Sequence, residues 1–280
     1  MDLTTLFIVL FAALLHASWN IALKKYASLE TVIGQTILSA LVGAVGVSYF
    51  GAISNTALLY LLLGAPFHVL ARYFSIRAFL SGDLSQSYPM VRGTIPVMVA
   101  LLSFIVLGET LSAFGFFAIF LMSLSVGALG WRGGKTPGNF DAKPLLYALL
   151  TAGSAAVYNV TDGAGIRVSE NTLGFTFWLF LLDGLASSIV LSGFVYLKTG
   201  KVRPGLGVAG VAAGLIQLLS FGMILFAMKS APIALVAAAR ETSILFALLL
   251  SSVLLKEKIT GWRLASSCGI LAATLMVRMS

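Results

Sequence analysis

The chain has 280 residues, of which 59% are hydrophobic and only 10% are charged, and its mean hydropathy is +1.00. Soluble domains contain about 25% charged residues, so this composition excludes an ordinary soluble protein and indicates an integral membrane protein. The formal net charge is +8, and a single cysteine, Cys268, excludes a disulfide bond within the chain.

Apolar segments follow one another along the whole chain, each near the roughly 20 residues that a helix needs to cross a bilayer core. The alternation of apolar and polar residues that is typical of membrane β-strands is absent. We therefore predict an all-α polytopic membrane protein with ten transmembrane helices. The predicted helices span residues 3–23, 31–50, 57–78, 84–107, 111–129, 144–165, 172–196, 206–229, 232–255 and 260–278.

Lysine and arginine are distributed unevenly over the joins between these helices. Counted in chain order, the odd joins hold eleven basic residues, whereas the even joins and the termini hold three. By the positive-inside rule, the odd joins face the cytoplasm and both termini lie outside it. Topology therefore explains the positive charge, and no nucleic-acid partner is predicted.

The longest join, WRGGKTPGNFDAK at residues 131–143, is rich in glycine and charge and divides the chain near its centre. We predict a first five-helix repeat over residues 1–130, a cytoplasmic linker over 131–143 and a second five-helix repeat over 144–280. The two repeats would form one integral membrane unit.

Short sequence matches between the two halves support a duplication. LETVIGQT at 29–36 aligns with SENTLGFT at 169–176, and Arg92 aligns with Arg240. Because each half has five helices, an odd number, the halves are expected to be inverted. Inverted repeats are a recurrent plan of secondary transporters, whose substrate site lies near the midplane between the repeats.

The stretch VLGETLSAFGFFAIFLMSLSVG at residues 106–127 resembles the EamA-type branch of the drug/metabolite transporter superfamily. The shared pattern is an apolar run, a Gly-Glu pair at its end (Gly108-Glu109) and a glycine-bearing helix. The second half carries a less faithful version, LLKEKITGWRLASSCGILAATL, at residues 254–275. Within the superfamily the chain is similar to the YddG-type exporters of aromatic amino acids.

The resemblance implies a secondary or facilitative transporter in a bacterial-type inner (plasma) membrane. It would export small metabolites, with aromatic or hydrophobic amino acids the favoured substrates, by alternating access around a central cavity. Other metabolites or drugs, such as nucleosides and cationic compounds, are the alternative substrates. The expected partners are an amino-acid-like small molecule and the lipid bilayer, and we expect a monomer.

No catalytic or metal chemistry is visible in the sequence. The two histidines lie on different predicted helices, and GxSxG, HExxH and GxxxxGK patterns are absent. We predict no enzymatic activity, no metal and no cofactor. A channel and a membrane-embedded enzyme are the alternatives from other functional classes.

Polar and charged side chains inside apolar helices are candidates for a transport site, because a centrally placed charge costs about 2.5–3.5 kcal/mol on insertion scales. Aromatic members would pack against a substrate ring, and polar members would orient its charged groups. The substrate-binding candidates are His16, Trp19, Asn20, His68, Tyr88, Tyr158, Asn159, Trp178, Asp183 and Arg240.

Structural roles compete with binding at several of these positions. Asn20 and Asn159 can bond between helices, Trp19 and Tyr88 can lie in an interfacial belt, and Asp183 can pair with an arginine. Arg72 and Asp162 also lie within predicted helices. Arg72 is close enough to a helix end to extend into the interface, and it is not counted among the site residues.

Two further features concern the fourth and ninth predicted helices. Pro89, Gly93 and Pro96 interrupt the fourth, which predicts either a moving, cavity-lining element or a static kink. In the ninth, Arg240 and Glu241 are adjacent and point about 100° apart, so each needs a partner on another helix.

We expect Glu241 to form a structural ion pair with Arg92 across the repeat interface. Arg240 would then face Asp183 or a substrate carboxylate.

Overall fold

The computed structural model describes residues 1–23, 29–81, 84–131, 142–205, 207–254 and 260–280. In these residues the chain forms eleven α-helices and no strand. They are α1 (Leu3–Leu23), α2 (Leu29–Phe50), α3 (Asn55–Ser81), α4 (Leu84–Leu107), α5 (Ala113–Trp131), α6 (Ala142–Val168), α7 (Thr172–Thr199), α8 (Val208–Ser230), α9 (Ile233–Arg240), α10 (Ser243–Leu254) and α11 (Gly261–Met279).

The helix boundaries follow the apolar segments closely, with ends within three residues of those predicted. The ninth segment is the exception, because the prediction of one continuous helix over 232–255 is wrong. The helix stops at Arg240 and restarts at Ser243, after a turn at Glu241 and Thr242. The amides of Glu241 and Thr242 bond to carbonyls three residues earlier, as in a 3₁₀ turn.

Length and composition support a multi-pass membrane protein. Seven helical segments among the described residues are long and apolar enough to cross a bilayer, and the apolar stretch Ala113–Leu129 of α5 is shorter. Large apolar side chains such as Phe7, Val45 and Leu197 are exposed along the helix surfaces. In a bilayer such side chains contact lipid rather than water.

Helices of the first half pack mainly on helices of the second. The main pairs are α3 with α6, α2 with α7, α1 with α8 and α5 with α11, and α4 packs on both α5 and α6. This interleaving places the core between the two halves of the chain.

A close helix crossing joins α2 to α7 through reciprocal glycine contacts. A Cβ on Gly43 would lie 2.3 Å from the backbone nitrogen of Leu181, and a Cβ on Gly184 would lie 2.4 Å from that of Ala40. The hydroxyl of Ser39 donates to the carbonyl of Phe180 at 3.0 Å. Small residues therefore bring the two backbones together, as in other membrane helix pairs.

Candidate functional site

An ion pair with two hydrogen bonds joins α3 to α7 near the middle of both helices. Nη1 and Nη2 of Arg72 donate to Oδ1 and Oδ2 of Asp183, each at 3.0 Å. The Ser187 hydroxyl donates to Oδ1 of Asp183 at 2.9 Å and also contacts Arg72. Such paired, charge-assisted bonds fix the geometry of both side chains.

One turn earlier on α3, His68 contacts an aspartate of α6. Nε2 of His68 lies 2.9 Å from Oδ2 of Asp162, and both side chains are buried. The ring of Tyr158 stacks on the imidazole with a centroid distance of 4.1 Å, and Phe221 of α8 approaches it edge-on at 6.1 Å. Aromatic groups thus hold the histidine against its carboxylate.

His68, Arg72, Asp162 and Asp183 form a charged quartet between α3, α6 and α7. His68, Asp162 and Asp183 line a narrow crevice with four apolar side chains, those of Leu61, Ala65, Leu179 and Leu182. Oδ1 of Asp162 is buried and has no hydrogen-bond partner within the described part of the chain. In this conformation the crevice is closed to a water-sized molecule.

A second charged group, the arginine cluster, consists of Arg92, Arg240 and Glu241. Nε of Arg92 lies 2.9 Å from Oε2 of Glu241, which is the partner expected from the sequence, and its guanidinium also donates to the hydroxyl of Ser243. Both members of this ion pair are buried. The charges of both arginines act on Glu241.

The arginine cluster lies where α9 gives way to α10. A helix interrupted at membrane depth exposes backbone groups that are tolerated only inside protein or beside a cavity. The interruption here contains neither proline nor glycine. It presents Glu241 to Arg92 of α4 and thereby joins the two halves of the chain.

Phe221 stands between the two charged groups. Its ring lies edge-on to His68 of the quartet, and the guanidinium carbon of Arg240 lies 5.6 Å from its centroid. His16 of α1 is close enough to Arg92 and Arg240 for their charges to act on it, and it contacts Trp19 edge to face at 5.2 Å. The structure therefore brings His16, His68, Tyr158, Asp183 and Arg240 around one central region.

The remaining predicted site residues lie in other surroundings. The Asn20 and Asn159 side-chain amides donate at 2.7 Å to the carbonyls of His16 and Ala155 in their own helices. Trp178 donates to the carbonyl of Gly51 at 3.3 Å, in the connection between α2 and α3. The side chain of Tyr88 lies outside the described residues.

The expected pairing of Asp183 needs correction, and the hinge expected in α4 stays a prediction. Asp183 takes Arg72 as its partner and not Arg240. Pro89 and Pro96 lie inside α4 as predicted, but a Cβ on Gly93 would lie 2.9 Å from the Gly127 backbone nitrogen. Gly93 therefore has a packing role against α5.

Sequence reasoning underrated Arg72 and Asp162 and did not single out Phe221. Spacing contained part of the signal, since His68 and Arg72 are four residues apart and share one face of α3. Asp162 is a carboxylate within an apolar helix, which is a functional hypothesis by default. The chain has 19 phenylalanines, and nothing in the sequence distinguishes Phe221 from the others.

The end of the bundle that carries both chain termini, the termini end, is held by a polar network. Nη2 of Arg167 donates to Oε1 of Glu109 at 2.9 Å and to the carbonyl of Ala231 at 2.7 Å. The Glu109 carboxylate also accepts from the backbone amide of Ile233, the first residue of α9. Glu109 thus ties the α4–α5 connection to α6 and to the α8–α9 junction.

Comparison with known proteins identifies the second half of the chain. Residues 142–279, just under half of the chain, match the model of the EamA-like transporter family. That family is described as one of transporters, and helices of this chain are long and apolar enough to cross a bilayer. No curated protein matches the chain.

A likeness to solved structures extends over the whole chain. One crystal structure, described only as "Crystal structure of protein", matches with a TM-score of 0.77 and 16% sequence identity. The match covers 100% of this chain and 98% of that one. At this identity the likeness establishes the shared fold alone.

Proposed function

We propose that the protein is a secondary transporter that exports zwitterionic metabolites, with aromatic or hydrophobic amino acids as the preferred substrates. The observation that carries this proposal is the presence of two charged groups of opposite sign on either side of Phe221. With neutral imidazoles, the quartet holds one arginine and two aspartates, a balance of −1. The arginine cluster holds two arginines and one glutamate, a balance of +1.

This arrangement matches the chemistry of a zwitterion with an apolar side chain. The substrate ammonium would approach the quartet, and its carboxylate would approach the arginine cluster. The rings of Phe221 and Tyr158 would pack against the substrate side chain, a contact worth about 0.5–1.5 kcal/mol beyond area burial. Because the crevice is closed here, binding would require α3 and α7 to move apart.

Alternating access between two inverted halves is the proposed transport mechanism. In a two-fold repeat, α1, α2, α3, α4 and α5 would correspond to α6, α7, α8, α9–α10 and α11. Under this correspondence the α3–α6 contact becomes the α8–α1 contact, and the α2–α7 and α5–α11 contacts are unchanged. This pattern supports an inverted repeat, in which each half can take the shape of the other. The interrupted helix α9–α10 fits the same plan, since broken helices commonly line transporter sites.

The proposed location is a bacterial-type inner membrane with both termini outside the cytoplasm. The charge distribution over the joins supports this orientation. The Glu109–Arg167 network would then hold the outer side of the bundle together. An exporter in this conformation would have to break that network before releasing substrate.

A counterflow assay in proteoliposomes tests the proposed function. We expect saturable exchange of radiolabelled L-phenylalanine that is blocked by excess L-phenylalanine and L-leucine. Phenethylamine, which lacks the carboxylate, and 3-phenylpropionate, which lacks the ammonium group, should block it weakly, because each satisfies only one charged group. Glu170→Gln, at an exposed position, is the control variant.

Two results would contradict the proposal. Strong inhibition by phenethylamine or a cationic dye, without exchange of L-phenylalanine, would indicate a transporter of organic cations. Flux that does not saturate with substrate would indicate a channel.

Two variants should differ because their side chains lie in different places in the structure. We expect His68→Ala to lose exchange and Trp178→Ala to retain most of the exchange activity.

A further inference from the structure

The two carboxylate oxygens of Asp162 have different surroundings. Oδ2 of Asp162 faces His68 at 2.9 Å, but Oδ1 is buried and has no hydrogen-bond partner in the described residues. Asp162 is 1% exposed and lines the crevice between α3, α6 and α7. A buried acceptor left unsatisfied costs about 1–3 kcal/mol, and more if it is charged. The arrangement is therefore incomplete without a cation or a proton.

The charge balance of the quartet leads to the same conclusion. Arg72 and Asp183 neutralise each other through two hydrogen bonds, so they leave no net charge to offset Asp162. His68 offsets Asp162 only when the imidazole carries a second proton. One proton on the His68–Asp162 pair thus brings the quartet to zero net charge, which is the favoured state of a group inside a membrane.

We propose that His68 and Asp162 form a proton-binding site that couples transport to the proton gradient. The site holds one proton when the crevice is empty, and the ammonium group of the substrate displaces it. The proton occupies the second ring nitrogen of His68, and on displacement it leaves to the aqueous phase. One positive charge replaces another, so charge and atoms balance and a proton moves opposite to each exported zwitterion.

The groups that face this pair come from each helix packed around it. Arg72 is on α3 with His68, Asp183 is on α7, and Tyr158 is on α6 with Asp162. Phe221 of α8 contributes an uncharged ring. Since Arg72 and Asp183 neutralise each other in this closed conformation, the His68–Asp162 pair is the place where a change of one proton alters the net charge.

Histidine NMR on the whole protein tests the proton site without any substrate. The chain has two histidines, so ¹⁵N-histidine labelling gives two imidazole groups, and His16→Asn leaves the signals of His68 alone. We expect His68 to change protonation state within a pH titration from about 5 to 9, the range of ordinary histidine titration. Asp162→Asn should weaken proton binding by roughly tenfold or more, since it removes the adjacent negative charge.

A His68 imidazole that stays neutral throughout this range in the wild type would overturn the proposal. So would an unchanged titration in Asp162→Asn. If that variant does not fold, phenethylamine added to the wild type is the second measurement. Its ammonium group should displace the proton and shift the His68 titration to lower pH, whereas an unchanged titration would contradict the shared site.

The coupling itself rests on the proposed transport function and is tested separately. In proteoliposomes, a pH difference across the membrane, with the inside either acidic or alkaline, should change the rate of L-phenylalanine flux several-fold in the wild type. The same pH difference should not change the rate in His68→Gln. Saturable exchange that ignores the gradient would overturn the coupling and leave the transport proposal intact. Absence of any exchange would overturn the transport proposal, while the titration still decides the proton site.

Discussion

Arg72 and Asp183 hold α3 and α7 together through two parallel hydrogen bonds of 3.0 Å. Arg72→Gln should destabilise the folded protein by about 3 kcal/mol, because it leaves the Asp183 carboxylate buried without its counter-charge. Asp183→Asn should have a similar effect through the stranded guanidinium. The combination of both substitutions should recover part of the loss, since two amides can still bond to each other.

Thermal unfolding in detergent, followed by circular dichroism, measures this set of variants. Ser188→Ala is the matched control, because its hydroxyl donates to the Leu185 carbonyl in its own helix through an exposed hydrogen bond. If the loss of stability in the double variant equals the sum of the losses in the two single variants, the pair is not energetically coupled.

Glu241→Gln tests whether the Arg92–Glu241 pair joins the two halves of the chain. The substitution removes the carboxylate charge that offsets two arginines, so we expect a lower melting temperature and a transport rate reduced by roughly tenfold or more. Counterflow and thermal unfolding of the same preparation separate the two effects. A variant that folds and transports like the wild type would remove the pair from the mechanism, and Glu170→Gln serves as the exposed control.

Gly43→Ala tests the close crossing of α2 and α7. The added methyl group would lie 2.3 Å from the backbone nitrogen of Leu181, so the helices must separate, and overpacking of this kind costs about 1–3 kcal/mol. Gly193→Ala is the matched control, because no atom lies within 4 Å of its added methyl. That control should be neutral or slightly stabilising, since alanine is the better helix former. Equal melting temperatures for the two variants would contradict the close crossing.

The helices were predictable because a membrane imposes one strong rule on the sequence. Twenty apolar residues in a row satisfy both the bilayer and the backbone only as a helix, so α1 and α4 begin and end at the predicted residues. The break after Arg240 was not predictable, because no proline or glycine marks it. At this turn the Glu241 side chain contacts Arg92 on another helix, a tertiary contact that local sequence does not reveal.

The site was predictable in part for the same reason. Burying a charge is costly, so Asp183, Arg240 and Glu241 could be recognised from the sequence as residues that need partners. The choice of partner depends on which helices are adjacent, and that information lies in the packing. Hence Asp183 pairs with Arg72 on α3. The sequence placed Arg72 near a helix end, where it was expected to extend into the membrane interface.

Glu109→Gln tests whether the polar network at the termini end closes one side of the transporter. The amide can still accept from the Ile233 amide, but it loses the charge that holds Arg167, and a charge-assisted bond is worth about 1.5–3 kcal/mol. We expect the population with this end open to rise by roughly tenfold or more. A reporter cysteine at Ala231, in a Cys268→Ser background, should then react correspondingly faster with a water-soluble maleimide, because Ala231 is buried beside Arg167.

Glu109 could control access to the termini end, or it could mainly support the fold, and the melting temperature separates these two roles. If the protein alternates between two open states, weakening the closure at one end should shift the population without unfolding the bundle. Faster labelling with an unchanged melting temperature therefore supports a gate. Faster labelling with a melting temperature lowered by several degrees indicates instead that Glu109 mainly supports the fold through α9, and unchanged labelling means that Glu109 does not control access at this end.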